Sequence, residues 1–152
     1  MSSHPQPESR QPANHPLICK AFEGGVPVAE LIGFQVIEIG NGRAVASIQT
    51  GPQHANPMGT LHGGILCDIA DAAMGMAFVS TLEADQSFTT IELKINFFRP
   101  VWISKLTAEA IVTHRGRTTG YVECTVKDEN NKLVAKAVST CTVLAGDRAS
   151  GR

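Results

Sequence analysis

Residues 63–82, GGILCDIADAAMGMAFVSTL, form the one long helical stretch of the chain, and they carry only two charges, Asp68 and Asp71. A helix that is apolar on nearly every side is normally buried. Its length alone would allow a membrane span, but the two acids and the many small residues argue for a helix buried in a soluble protein. One sheet can cover only one side of such a helix. The rest must be covered by a sheet that curls around it or by a second subunit, so at least a dimer is expected.

The remaining segments read as strands. Phe34–Ile39 and Ala44–Thr50 flank Gly40-Asn41-Gly42, a hairpin turn because Gly and Asn tolerate positive φ. A short helical turn at Val28–Ile32 ends at Gly33. In Thr90–Phe97, Ile91, Leu93, Ile95 and Phe97 alternate with polar residues, the period of a strand with one apolar face. Lys105–Thr113, Tyr121–Lys127 and Leu133–Leu144 complete the set, and the last is apolar enough on both faces to be central. Short links between consecutive strands predict an antiparallel sheet.

At 152 residues, with 43% hydrophobic and 18% charged residues, the chain suits one domain with a real core. Residues 1–16, with four prolines, are expected to be a disordered tail, residues 17–145 the domain, and residues 146–152 a second short tail. A net charge of −1 gives no electrostatic case for nucleic acid or an anionic membrane as partner. Four scattered cysteines without a CxxC or Cys/His cluster predict free, mostly buried thiols, no metal site and a cytoplasmic location.

The chemistry-bearing stretch is Asn56 to Asp71. Gly63 and Gly64 stand where the long helix begins. There the first N–H groups lack internal partners and sit at the positive end of the dipole. Such a place can hydrogen-bond a carbonyl oxygen as negative charge builds on it, or it can be a plain loop-to-helix junction. Asp71, eight residues beyond Gly63, lies about 12 Å further along the axis. The two cannot reach one carbonyl within a single helix, but antiparallel copies across a dimer axis could, Gly63 of one facing Asp71 of the other. Asp68, about 60° around the helix, is the rival acid. Asn56 can offer a side-chain amide or simply form the turn before Pro57. His62 fits a positioning role, and no third ligand accompanies His54 and His62 for a metal. Arg99 and the cluster His114-Arg115-Gly116-Arg117-Thr118 can bind phosphates or form a solvated hairpin end.

The pattern Asn56…Gly59-Thr60-Leu61-His62-Gly63-Gly64…Asp71, followed by Asn96-Phe97-Phe98-Arg99-Pro100 and Gly116-Arg117-Thr118, resembles the hotdog-fold acyl-CoA thioesterases over about residues 27–145. It is most similar to their phenylacetate-degradation-type branch, which in turn resembles the 4-hydroxybenzoyl-CoA thioesterases. Those carry Glu at the position of Asp71. The resemblance implies an α+β hotdog fold, a curved antiparallel β-sheet wrapped around one long central α-helix, in homodimers that pair into a homotetramer. It implies hydrolysis of an aryl- or medium-chain acyl-CoA, with no cofactor, since coenzyme A is part of the substrate. By position, Gly63 matches the residue whose N–H polarises the thioester, Asn56 the polar residue beside it, and His62 the residue that steadies the turn. Asp71 matches the catalytic carboxylate supplied by the neighbouring subunit, and Thr90 a hydroxyl that orients water. Gly64, Arg99, Arg117 and Thr118 match substrate contacts, the last three along the CoA arm. A non-catalytic acyl-CoA binding module and a hotdog enoyl hydratase or dehydratase are the alternatives.

Overall fold

The computed structural model describes residues 15–23 and 25–150. Helices α1 (Pro16–Glu23) and α2 (Pro27–Ile32) precede the hairpin β1 (Phe34–Gly40) and β2 (Arg43–Gln49). A 3-10 turn, Pro52–His54, leads to the long helix α3 (Gly63–Val79). Strands β3 (Ser87–Phe97), β4 (Lys105–Arg115), β5 (Thr119–Lys127) and β6 (Leu133–Leu144) follow, and a last 3-10 turn covers Gly146–Ala149. The six strands form one sheet in the order β1-β2-β4-β5-β6-β3, and every pair is antiparallel.

Local chemistry explains the elements that the pattern predicts. The β1–β2 loop is Asn41-Gly42, with φ of 52° and 75°. Positive φ at both central residues is the hairpin turn whose twist matches its strands. Gly33, at φ 87°, ends α2 in the left-handed conformation. The long helix ends three residues earlier than its composition suggests. Ser80 and Thr81 turn their hydroxyls back onto the carbonyls of Ala77 and Phe78, at 2.7 Å each. They thereby offer the final carbonyls an alternative to another helical turn. The Ser80 hydroxyl also accepts the Gly42 N–H at 2.8 Å, which ties the helix end to the hairpin.

The core lies between α3 and the concave face of the sheet. Leu66, Ile69, Ala70, Ala73, Met74, Ala77 and Phe78 of α3 are buried. They meet Ala44, Ala46 and Ile48 of β2, Leu106, Ala108 and Ala110 of β4, and Val122, Cys124 and Val126 of β5. Alanines on the sheet let the helix axis come close, and the large side chains then come mainly from the helix. Phe78 shows how tight this is. A Cβ at Gly120 would stand 2.2 Å from its ring, so only glycine fits beneath it. Phe88 packs edge-on against that ring with centroids 5.7 Å apart, and the Arg115 guanidinium lies 5.3 Å from its centre.

Three expectations change. Strand β3 does not pair with β4, its neighbour in sequence. It lies at the far edge, beside β6, and the 98–104 link carries the chain from Phe98, bonded to Val134 of β6, to Ser104, whose carbonyl accepts the Thr50 N–H just after β2. Thereby β6 becomes interior, as its apolar faces predict. Most of the expected N-terminal tail falls outside the described residues. Its last two, His15 and Pro16, are placed: His15 is 3% exposed, and Pro16 opens α1, an element the sequence reading omits. The His15 Nδ1 accepts the Leu17 N–H at 3.2 Å and Nε2 meets the Gln86 carbonyl at 3.0 Å. Finally, only Cys124 and Cys141 of the free thiols are buried; Cys67 is half-buried and Cys19 exposed. No described helix is long and apolar enough to cross a membrane.

Candidate active site

The start of α3 is built around His62. As the residue that caps the helix, His62 adopts φ −66° and ψ 130°, and its Nδ1 accepts the Gly64 N–H at 2.9 Å. The neutral tautomer that this implies carries its proton on Nε2. A Cβ at Gly64 would approach that Nδ1 to 2.8 Å, so glycine makes room for the cap. Ile65 N–H bonds the His62 carbonyl at 3.1 Å. The first N–H of the helix, that of Gly63, has no acceptor among the described residues and points outward. Thus Gly64, matched to a substrate contact, has its N–H occupied by the His62 cap.

His54 supports this turn from below. It is buried, accepts the Gly51 N–H on Nδ1 at 3.0 Å, and contacts the Ile32 carbonyl through Nε2 at 2.8 Å. Its own carbonyl takes the His62 N–H at 2.9 Å. With both ring nitrogens engaged, it is a structural residue. No group of three His, Cys, Asp or Glu among the described residues could hold a metal ion.

Asn56 is the hub of the preceding turn. Its Oδ1 accepts the N–H groups of Met58 and Thr60 at 2.9 and 3.2 Å, and its amide donates to the Thr60 hydroxyl at 2.9 Å. One amide N–H remains for a ligand. Asn56, Gly63 and Arg99 line one cavity of about 450 Å³, with Leu61, Phe97 and Phe98 among its apolar walls. The ring of Phe97 explains Gly63 in a second way: a Cβ there would lie 3.0 Å from Cζ.

Asp71 lines a different cavity, a cleft of about 1010 Å³ between α3 and the α1–α2–β1 segment, together with Asp68. Here the sequence reading needs correcting, since Asp71 sits on the exposed side of α3 in the protomer rather than in its core. Although exposed by area, its carboxyl is surrounded by enough protein that desolvation, and then neighbouring Asp68, push its pKa up. The Thr90 hydroxyl works in the opposite direction by favouring the carboxylate. Desolvation also raises the Asp68 carboxyl.

The structure therefore brings together two groups of the expected residues and separates them from each other. Asn56, Gly63 and Arg99 share one cavity, while Asp71 and Thr90 share another region. Arg117 and Thr118 lie exposed in the β4–β5 turn, where the Thr118 carbonyl accepts from Val143 and Thr142. Val143 pairs with Phe88 at the start of β3, whereas Arg99 follows its end. Nine residues of strand, about 30 Å, separate the two arginine sites. Sequence reasoning missed Phe97 as the wall of the Gly63 cavity, although the period-two face of β3 that it closes was the available signal. Of the large side chains near the helix, Met74 and Phe78 are fully buried in the core, Met76 lines the Asp71 cleft, and Met58 is 80% exposed.

A curved antiparallel sheet wrapped on one long helix defines the hotdog fold. The chain belongs to the thioesterase superfamily, whose family model matches residues 58–135. It is 34% identical over 109 residues to the acyl-coenzyme A thioesterase PaaI of Escherichia coli, covering 70% of this chain and 75% of that one. It is 28% identical over 114 residues to the 1,4-dihydroxy-2-naphthoyl-CoA hydrolase of Listeria monocytogenes, covering 75% and 91%. The solved structure of the Escherichia coli PaaI protein from the phenylacetic acid degradation operon superposes with a TM-score of 0.75 at 28% identity, over 82% of this chain and 88% of that one. This protein is a thioester hydrolase of the PaaI type, which favours hydrolysis over the binding-module and hydratase alternatives.

Proposed function

We propose that the protein hydrolyses acyl-CoA to the free acid and CoA, in active sites each built from two subunits. One observation carries this. The free Gly63 N–H and the Asp71 carboxyl line separate cavities of one protomer, yet neither residue is buried in it. Two antiparallel copies of α3 bring Gly63 of one subunit to Asp71 of the other, twice per dimer.

In such a site the Gly63 N–H, aided by the helix dipole and the remaining Asn56 amide hydrogen, stabilises the oxyanion that forms on the thioester oxygen. Asp71 either takes a proton from the attacking water or attacks the carbonyl carbon itself to give an anhydride that water then opens. Both routes break the carbon–sulfur bond, release the CoA thiolate to be protonated, and use water as the only co-reactant. The raised Asp71 pKa makes it a stronger base than an ordinary carboxylate. Arg99, which lines the Gly63 cavity, offers a cation for a phosphate of the CoA arm, and the exposed Arg117 and Thr118 of the β4–β5 turn offer further donors for it.

Subunit mixing tests the shared site. Gly63→Pro and Asp71→Asn are each expected to be nearly inactive alone. Coexpressed, half of the dimers are mixed and each mixed dimer holds one intact site, so activity returns to about a quarter of wild type. No recovery in isolated mixed dimers would refute the arrangement. In single-turnover hydrolysis in labelled water, a product acid without label establishes the anhydride route, opened by water at the Asp71 carboxyl carbon with the label left on the enzyme.

A further inference from the structure

The cleft that holds Asp71 is roofed by α1 and α2. We propose that this cleft, covered by α1 and α2, is the compartment for the acyl group, and that it selects neutral apolar acyl groups over those ending in a carboxylate. The inference rests on the assignment of Asp71 as the catalytic acid.

Apolar side chains from four elements line the walls. They are Phe22 of α1, Val28 and Ala29 of α2, Val36 of β1, and Ala72 and Met76 of α3. Phe22 and Val28, which line the cleft, are 50% and 48% exposed in the protomer, so they present apolar surface there. A ligand that buries such surface gains the hydrophobic term. The roof is attached to the body at defined points. Ile18 of α1 is buried, and His15 meets the Gln86 carbonyl in the α3–β3 connection.

Charge decides the class of acyl group. The charged side chains lining the cleft are Asp68, Asp71 and Glu30, and among the described residues no Lys, Arg or His lines it. The cavity around Gly63 is the converse, with Arg99 and no acid. The two cavities thus sort the two ends of the substrate. The anionic CoA arm goes to the arginine side and an uncharged tail goes to the acid-lined cleft. A terminal carboxylate would add a fourth negative group to a space where desolvation and Asp68 already oppose ionisation of Asp71.

The test compares kcat/KM of the full chain for acetyl-, octanoyl-, phenylacetyl- and glutaryl-CoA. Octanoyl- and phenylacetyl-CoA are expected to exceed glutaryl-CoA by at least about tenfold. Phe22→Ala is expected to lower the octanoyl-to-acetyl ratio of kcat/KM several-fold, and Glu30→Gln to narrow the deficit of glutaryl-CoA. Glutaryl-CoA turned over as well as octanoyl-CoA, or a Phe22→Ala ratio equal to wild type, would overturn the inference. If the wild type hydrolyses none of them, calorimetric titration with octanoyl-CoA and with CoA separates the two readings. Tighter binding of octanoyl-CoA that Phe22→Ala weakens keeps the compartment and removes the catalytic assignment. Equal binding of both removes the compartment as well.

Discussion

Gly63→Pro isolates the one group on which the oxyanion proposal depends. Gly63 is the first residue of α3, where a helix tolerates proline because the N–H it lacks has no intrahelical partner. The residue before a proline must be extended, and His62 already has φ −66° and ψ 130°. The substitution therefore deletes the N–H and leaves the helix. Gly63→Ala is the control, because it adds the same Cβ, 3.0 Å from Phe97 Cζ, but keeps the donor. Phe97 is 52% exposed and has room to give. Loss of one oxyanion donor costs about 2.7–4 kcal/mol of barrier, or roughly 100- to 1000-fold in kcat. We expect Gly63→Pro to fall that far below Gly63→Ala in a thiol-release assay with octanoyl-CoA. Its melting temperature should at least match that of Gly63→Ala, since proline restricts the unfolded chain. Equal rates for the two variants would show that the Gly63 N–H does not serve the reaction.

Three further substitutions probe the acid, its hydroxyl neighbour and the core. Asp71→Asn is expected to abolish most hydrolysis and yet to melt higher than wild type at pH 7. The folded state raises the Asp71 pKa, so the favourable contribution of this group is complete only below the ordinary carboxylate pKa of about 3.9 and is lost as pH rises through the higher folded value. The gain in melting temperature should vanish towards pH 4, and a gain that does not depend on pH would contradict the cause. Thr90→Val removes a hydroxyl that favours the carboxylate, so the acid limb of kcat/KM should move to higher pH. An unmoved limb would remove Thr90 from the site. Gly120→Ala places a methyl group 2.2 Å from the Phe78 ring, and overpacking of this kind costs about 1–3 kcal/mol. Chemical denaturation should show that loss, and wild-type stability would mean that Phe78 moves freely.

What could be read from the chain was local. The Asn41-Gly42 turn needs positive φ at two adjacent residues, and the alternation along β3 needs only a period of two. The cap at His62 and the glycines after it also depend on neighbours within two residues. Helix α1 escaped notice because it is short and is held from a distance, through Ile18 and the contact of His15 with Gln86. The occupied donors and acceptors of Asn56 and Gly64 were equally hidden, since residue type shows what a group can bond and not what it has bonded.

The sequence by itself determined that one apolar helix must be wrapped by antiparallel strands. It also determined that Gly63 and Asp71 are too far apart to act on one carbonyl, because helical rise sets that distance whatever surrounds the helix. Only the tertiary structure decided which strip of α3 stays open, and hence that Asp71 is exposed rather than buried. That depends on β3 closing the sheet beside β6, a pairing between residues some fifty positions apart that no local pattern encodes. The same closure placed Arg99 and Arg117 at opposite ends of β3 and set an acid-lined cleft apart from the arginine-lined one.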